Sequence, residues 1–316
     1  MEVFLTIIFF VTSVVMLVWG VKLLSDCCVN ISRLFGISQL VVSTAVVSIV
    51  SILPNILVSI FAIKQNAQNL IVGNIYGSMT FNFLILLGGV LLIKPMKINI
   101  KKFNDKISLY LIALLLLFVF SISKHISWIE SCVLCIIFLI FYVQNINKSK
   151  DIEMRRVIVN SKEKVNKILL FDTSLLFLIG FLLIIFGAKY AVVSSINLSN
   201  LTRINQKIVG YTVLIIATCM TEIMTIFSLV KRGFLSDILG DVVCNNIQIS
   251  TLIISLTSLI NGGVLLFGNE ILLITVMLII SCIFIIFSCK KRDNTHKIYG
   301  LSLIILYIIS LIILLK

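Results

Sequence analysis

GVKLLSDCCVNISRLFGISQLVVSTAVVSIVSILPNILVSIFAIK (residues 20–64) and GAKYAVVSSINLSNLTRINQKIVGYTVLIIATCMTEIMTIFSLVK (residues 187–231) align without a gap at a spacing of 167 residues. Gly20 then pairs with Gly187, Lys22 with Lys189, Asn30 with Asn197, Ser32 with Ser199, Gln39 with Gln206, Val42 with Val209, Val46 with Val213 and Lys64 with Lys231. The register carries on to Gly73 and Gly240. Shared apolar composition produces chance identities, but it does not place Lys, Asn and Gln matches in one constant register. The chain reads as an internal repeat.

Composition sets the medium in which the repeat folds. Of 316 residues 60% are hydrophobic and 12% charged, mean hydropathy is +1.18, and apolar runs long enough to cross a bilayer recur along the chain. Ten spans are predicted, over 3–24, 39–63, 69–92, 108–122, 127–144, 169–192, 208–230, 236–259, 270–288 and 298–315. The start, MEVFLTIIFF, carries an acid at Glu2 in place of a basic region and reads as an uncleaved span. Between the fifth and sixth spans, NINKSKDIEMRRVIVNSKEKVNK is too short and too charged to hold a core and reads as a cytoplasmic linker. The division is thus a five-helix repeat over 1–144, a basic linker over 145–168 and a second five-helix repeat over 169–316. Five is odd, so the second repeat enters the membrane from the opposite side. The expected fold is an all-α polytopic membrane protein of ten transmembrane helices in two inverted repeats.

A formal charge of +13 invites a nucleic-acid reading, which the placement of the basic residues opposes. With the N-terminus outside, the inner side collects Lys22, Arg33, Lys94, Lys97, Lys101, Lys102, Lys106, Lys148, Lys150, Arg155, Arg156, Lys162, Lys164, Lys167, Lys231, Arg232, Lys290, Lys291, Arg292 and Lys297. Most of the basic residues fall on one side, so the positive-inside rule predicts both termini outside, in a plasma (inner) membrane. The basic excess is topological, and the lipid bilayer, rather than nucleic acid, is the expected partner. Oligomeric state has no signature here.

Eight cysteines include Cys132 and Cys135 in a C-x-x-C and the adjacent Cys27 and Cys28, with no second pair or nearby histidine to complete a zinc site. They read as small apolar residues of helices. His125 and His296 fall in predicted short loops. An enzyme would need paired acids, a histidine-rich loop or an activated nucleophile facing a cavity, and the sequence offers none of these. Without a G-x-x-x-x-G-K-[ST] loop, coupling to ATP is not expected, nor is a cofactor.

Two features inside the spans ask for chemistry. Pro54, one of two prolines, interrupts SILPNILVSI in the second span, and beside a polar cavity a broken turn frees carbonyls and helix ends to meet an ion. Glu222 is the one acid near the centre of a predicted span, where an ionised carboxylate costs several kcal/mol unless paired, hydrated or neutralised.

These features lie in motifs that resemble the sodium/calcium exchanger family of calcium/cation antiporters. That family repeats a G-T-S-L-P-E turn in spans two and seven and a G-N-x-x-G-S-N-x-x-N or -D stretch in spans three and eight. Here the first repeat reads V-S-I-L-P-N, Val50 to Asn55, and G-N-I-Y-G-S-M-T-F-N, Gly73 to Asn82; the second reads A-T-C-M-T-E, Ala217 to Glu222, and G-D-V-V-C-N-N-I-Q-I, Gly240 to Ile249. The resemblance implies a secondary active cation antiporter with alternating access around a midplane site. Its implied ligands are Glu222, with Asn55 where the partner carboxylate would stand, and the oxygens of Ser51, Ser78, Asn82 and Thr218. Asn245 replaces a serine and Asp241 an asparagine, while Ile52 and Ile249 have lost their oxygens and Cys219 offers a softer atom.

Charge then bears on the transported cation, with Ca²⁺, Na⁺ and H⁺ as the candidates. Ca²⁺ beside Glu222 alone leaves one uncompensated positive charge in a poorly hydrated interior unless Asp241 reaches the site, whereas a single carboxylate matches a monovalent cation or a proton. Two alternatives therefore accompany the exchanger reading: a monovalent cation/proton exchanger, and a degenerate, non-transporting membrane interaction protein of the same fold.

Overall fold

A computed structural model describes residues 1–35, 42, 46–93, 104–154, 167–233, 235–262, 265–266, 268–290 and 296–315. It is almost wholly helical. The first half contains α1 (Glu2–Phe35), α2 (Ser48–Lys64), α3 (Gln68–Thr80), a π-helical turn (Phe81–Leu86), α4 (Leu87–Ile93), α5 (Asn104–Ile122) and α6 (Trp128–Met154). The second contains α7 (Lys167–Thr202), α8 (Gln206–Val209), a π-helical turn (Gly210–Leu214), α9 (Ile215–Arg232), α10 (Leu235–Gln248), a π-helical turn (Ile249–Ile253), α11 (Ile254–Ile260), α12 (Asn269–Lys290) and α13 (His296–Leu315). Among the described residues nine continuous helices are long and apolar enough to cross a membrane, and α2 is a shorter apolar helix in the place of the second predicted span. The start of that span lies outside the described residues.

The 167-residue register reappears in the elements themselves. Shifted by that amount, the first residue of α2 becomes that of α9, the first of α3 becomes that of α10, and both ends of α4 fall on those of α11. The π-helical turn after α3 falls on the one after α10, and the π geometry at Val46 and Val47 falls on the end of the turn before α9. The repeat is thus one of backbone geometry as well as residue identity, and the two five-helix halves are inverted.

Several boundaries exceed the sequence reading. α1 runs well past 24 and α7 well past 192, because the polar residues that follow the apolar runs are buried between these two helices. Cys27, Cys28, Ser32, Ser194, Ser195 and Ser199 are enclosed there, and Cys27 Sγ lies 3.4 Å from the Thr173 carbonyl. The helices approach closely because a repeat pair is glycine: a Cβ on Gly20 would stand 2.8 Å from the Gly180 carbonyl oxygen, and one on Gly187 2.9 Å from Leu17. α6 likewise continues to Met154, into the segment read as the linker, whose residues 155–166 lie outside the described set. His125 and Ile126 form a short antiparallel pair with Leu265 and Leu266, and His296 opens α13 instead of standing in a loop.

Apolar side chains cover the outside of the bundle as well as most of its core. Phe171, Leu175 and Leu178 of α7 and Phe4, Phe9 and Val11 of α1 are exposed, as lipid-facing positions should be. The two most enclosed crossings, α3 to α4 and α10 to α11, carry the polar side chains. Asn74, Ser78, Thr80 and Asn82 are buried on the first, and Asn245, Asn246, Gln248, Ser250 and Thr251 on the second. Polar groups that would be expensive against lipid are gathered where the two halves meet.

Candidate cation site

Glycine decides how close the halves come. α3 crosses α8 and its π-helical turn so tightly that a Cβ on Gly73 would lie 2.1 Å from the Lys207 carbonyl oxygen, and one on Gly210 2.3 Å from that of Leu70. Backbone against backbone, the crossing brings Asn74, the residue after Gly73, within reach of α9. Asn74 uses both ends of its amide: Nδ2 donates to Asn55 Oδ1 on α2 (3.2 Å), and Oδ1 accepts from the Thr218 hydroxyl on α9 (3.1 Å). The Ser78 hydroxyl, one turn further along α3, lies 3.4 Å from that of Thr218, placed to donate to it. Asn55, Asn74, Thr218 and Ser78 therefore form one buried chain joining three helices of the two halves.

Glu222 stands one turn beyond Thr218 on the same face of α9 and is 3% exposed. Its Oε2 accepts from the neighbouring Thr221 hydroxyl across 2.9 Å, while its Oε1 is buried without a hydrogen-bond partner. Asn82, in the π-helical turn after α3, is buried with both Oδ1 and Nδ2 unpartnered, and π turns recur at functional sites. A buried carboxylate oxygen and a buried amide oxygen left open are each unfavourable unless a donor or a cation reaches them. The chemistry of this donor set, hard oxygens from carboxylate, amide and hydroxyl groups, suits small hard cations.

The remaining sequence candidates are placed differently. Ser51 is half-buried and donates to the Ser48 carbonyl in its own helix (2.8 Å), although its repeat mate Thr218 is in the hydrogen-bonded chain. Asn245 is buried on α10, and Asp241 is half-buried two turns into the same helix. Pro54 does not break its helix: α2 runs unbroken from Ser48 to Lys64 with the proline buried inside it. One missing donor removes a single rung, the bond to the Val50 carbonyl, and the ladder resumes at the next residue. The helix irregularities lie instead at the π-helical turns.

Two participants were missed in the sequence. Asn74 is the mate of Asp241 in the 167-residue register, which is the signal that marks it. Asn246, fully buried, donates from Nδ2 to the Met79 carbonyl and to the Tyr110 hydroxyl, both at 3.2 Å, and leaves its Oδ1 unpartnered. Met79 and Asn246 are themselves repeat mates, so their contact marks where the halves meet about their pseudo-two-fold relation.

Two inverted repeats closing on a buried acid and a set of amides and hydroxyls define a secondary transporter. The sodium/calcium exchanger protein family matches residues 5–146 and 173–316, and the chain belongs to that family. It is 28% identical to an uncharacterized membrane protein of Methanocaldococcus jannaschii, over 89% of each chain. It is 23% identical to the sodium/calcium exchanger MaX1 of Methanosarcina acetivorans, over 90% of this chain and 91% of that one. Among solved structures it is similar to the sodium-calcium exchanger NCX_Mj soaked with Na⁺ and Sr²⁺, at a TM-score of 0.68 and 25% identity, covering 98% of this chain and 99% of that one.

Proposed function

We propose that this chain exchanges small cations across its membrane by alternating access, without ATP, around a site built on Glu222. The observation that carries this reading is the buried, unpartnered Oε1 of Glu222 beside a chain of oxygens contributed by both repeats. Glu222 supplies the compensating charge, Asn82 an open amide oxygen, and Thr218 and Ser78 hydroxyls whose orientation Asn74 fixes. Asn55, Asp241, Asn245 and Ser51 are the remaining residues of the set named from the sequence. Because the site joins the halves, movement of one repeat bundle against the other exposes it to alternate sides.

Glu222 alone balances Na⁺ or a proton and leaves Ca²⁺ one charge short unless Asp241 also reaches the ion, so with Glu222 as the only uncompensated carboxylate the exchange favours a monovalent ion. The non-transporting reading retains one specific support: where a second carboxylate would stand, Asn55 gives its oxygen to Asn74. Reconstituted vesicles decide between them. Imposed gradients of Na⁺, H⁺ and Ca²⁺ should each be tested for flux, with Glu222→Gln as the comparison. Flux in the wild type, abolished in a folded Gln variant, is the expected result. No flux with any of these cations establishes the non-transporting reading, and normal flux in the variant makes Glu222 structural.

A further inference from the structure

Lys106 reads from sequence as one of many basic residues at the inner face, but the structure turns it into the bundle. It lies near the start of α5, half-buried, and its Nζ donates to Cys244 Sγ on α10 across 3.1 Å. Asp241 precedes Cys244 by three residues and so occupies the same face of α10, within electrostatic reach of Lys106. Asp241 is in turn within electrostatic reach of Glu222. One turn further along α5, Tyr110 accepts from Asn246 Nδ2, so α5 is fastened to α10 at two levels. The neighbouring Asp105 is engaged elsewhere, in an exposed ion pair with Lys148.

The repeat supplies an internal control. Asp241 is the mate of Asn74, and Lys106 is the mate of Leu273 on α12. Where the second half carries an acid, the helix packed against it carries a lysine; where the first half carries a neutral amide, the corresponding helix carries a leucine. Acid and lysine occur together on one side of the pseudo-symmetry and are absent together from the other. Leu273 is half exposed, whereas Lys106 turns inward to Cys244.

We propose that Lys106 is an ion-selectivity residue, a tethered cation that offsets Asp241 so that the cavity keeps the net charge of Glu222 alone and favours a monovalent over a divalent ion. The inference rests on the proposed site at Glu222. A fixed positive charge acts twice as strongly on a divalent as on a monovalent ion. At a separation of about 10 Å and an effective dielectric near 20, that difference is worth about tenfold in relative affinity.

The experiment is calorimetric titration of the purified full chain with NaCl and with CaCl₂, for wild type, Lys106→Gln, Asp241→Asn and the double variant, with thermal unfolding followed in parallel. Counting Glu222, Asp241 and Lys106, the net charge is minus one in wild type, minus two in Lys106→Gln, zero in Asp241→Asn and minus one again in the double variant. The expected order of Ca²⁺ affinity is Lys106→Gln highest, about tenfold above wild type relative to Na⁺, then wild type and double variant alike, then Asp241→Asn. If Lys106→Gln does not fold, recovery of Na⁺ binding from Asp241→Asn to the double variant carries the same test. A Ca²⁺ to Na⁺ affinity ratio unchanged by Lys106→Gln, or a double variant no better than Asp241→Asn, overturns the role of Lys106 and leaves the Glu222 site standing. Absence of Na⁺ and Ca²⁺ binding in folded wild type overturns both.

Discussion

Thr218 donates its hydroxyl to the side-chain oxygen of Asn74 across 3.1 Å, a bond between residues 144 apart in the chain and on opposite halves of the repeat. Asn74 also holds Asn55, so one amide sets the orientation of groups from three helices. Replacing it with leucine keeps the branched shape and removes both hydrogen bonds, leaving the Asn55 oxygen buried without its partner and Thr218 with only Ser78 and its own helix carbonyls. The expected cost of such an unsatisfied group is about 1–3 kcal/mol. In detergent, Asn74→Leu should unfold at a lower temperature than wild type and lose cation flux more completely than Thr218→Val, which leaves the bond between Asn74 and Asn55 in place. Equal stability and flux would show that Asn74 does not order the site.

The crossing that delivers Asn74 depends on Gly73. A methyl group there would overlap the Lys207 carbonyl, which is backbone and has no rotamer to yield, whereas nothing stands within 4 Å of a Cβ placed on Gly89. Overpacking of this kind costs about 1–3 kcal/mol. Gly73→Ala should therefore lower the unfolding temperature and slow flux, while Gly89→Ala behaves as wild type. The comparison separates close approach of the helices from glycine flexibility, since both glycines are helical.

Most of the architecture was legible because the bilayer simplifies it: apolar length counts crossings, and a repeat visible in Gly20, Lys22, Asn30 and Gln39 imposes the symmetry. The helix ends of α1 and α7 were not, since a helix sheltered by its partner continues past the apolar run through Cys27 and Ser199. Of the residues proposed for the site, Glu222 and Thr218 stand out in the sequence as polar residues in motifs. Asn74 and Asn246 do not, because an asparagine that only links others looks like any polar residue inside a span. Lys106 was read only for its side of the membrane, because an unaligned sequence does not reveal which way a helix face turns, and so hides its contact with Cys244.

Orientation in the membrane is open to a direct test. Lys64 closes α2 and Lys231 lies at the end of α9; both are exposed, and they are mates under the repeat. With both termini outside, they face opposite sides. Single cysteines at these positions in a cysteine-free background should be labelled by an impermeant thiol reagent from outside at 64 and only after permeabilisation at 231. The reverse pattern would place the termini inside.

The remaining prediction concerns the position where the family's second carboxylate is missing. Asn55 is buried, its Oδ1 accepts from Asn74 and its Nδ2 is unpartnered, so the residue already presents one acceptor and wastes a donor. Asn55→Glu keeps an acceptor for Asn74, removes the orphaned donor and adds a negative charge to the site proposed around Glu222. Two unit charges about 4 Å apart interact by roughly 4 kcal/mol at an effective dielectric near 20, which is the order of attraction each carboxylate offers each charge of a bound ion. Without a divalent ion the two carboxylates repel, and protons compete with the metal ion for the same oxygens. Ca²⁺ binding should therefore appear or strengthen in Asn55→Glu, more at pH 8 than at pH 6, and monovalent transport should weaken. Calorimetry on purified wild type and variant at both pH values is the measurement. An unchanged Ca²⁺ affinity would show that Asn55 supports Asn74 without lining the path of the ion.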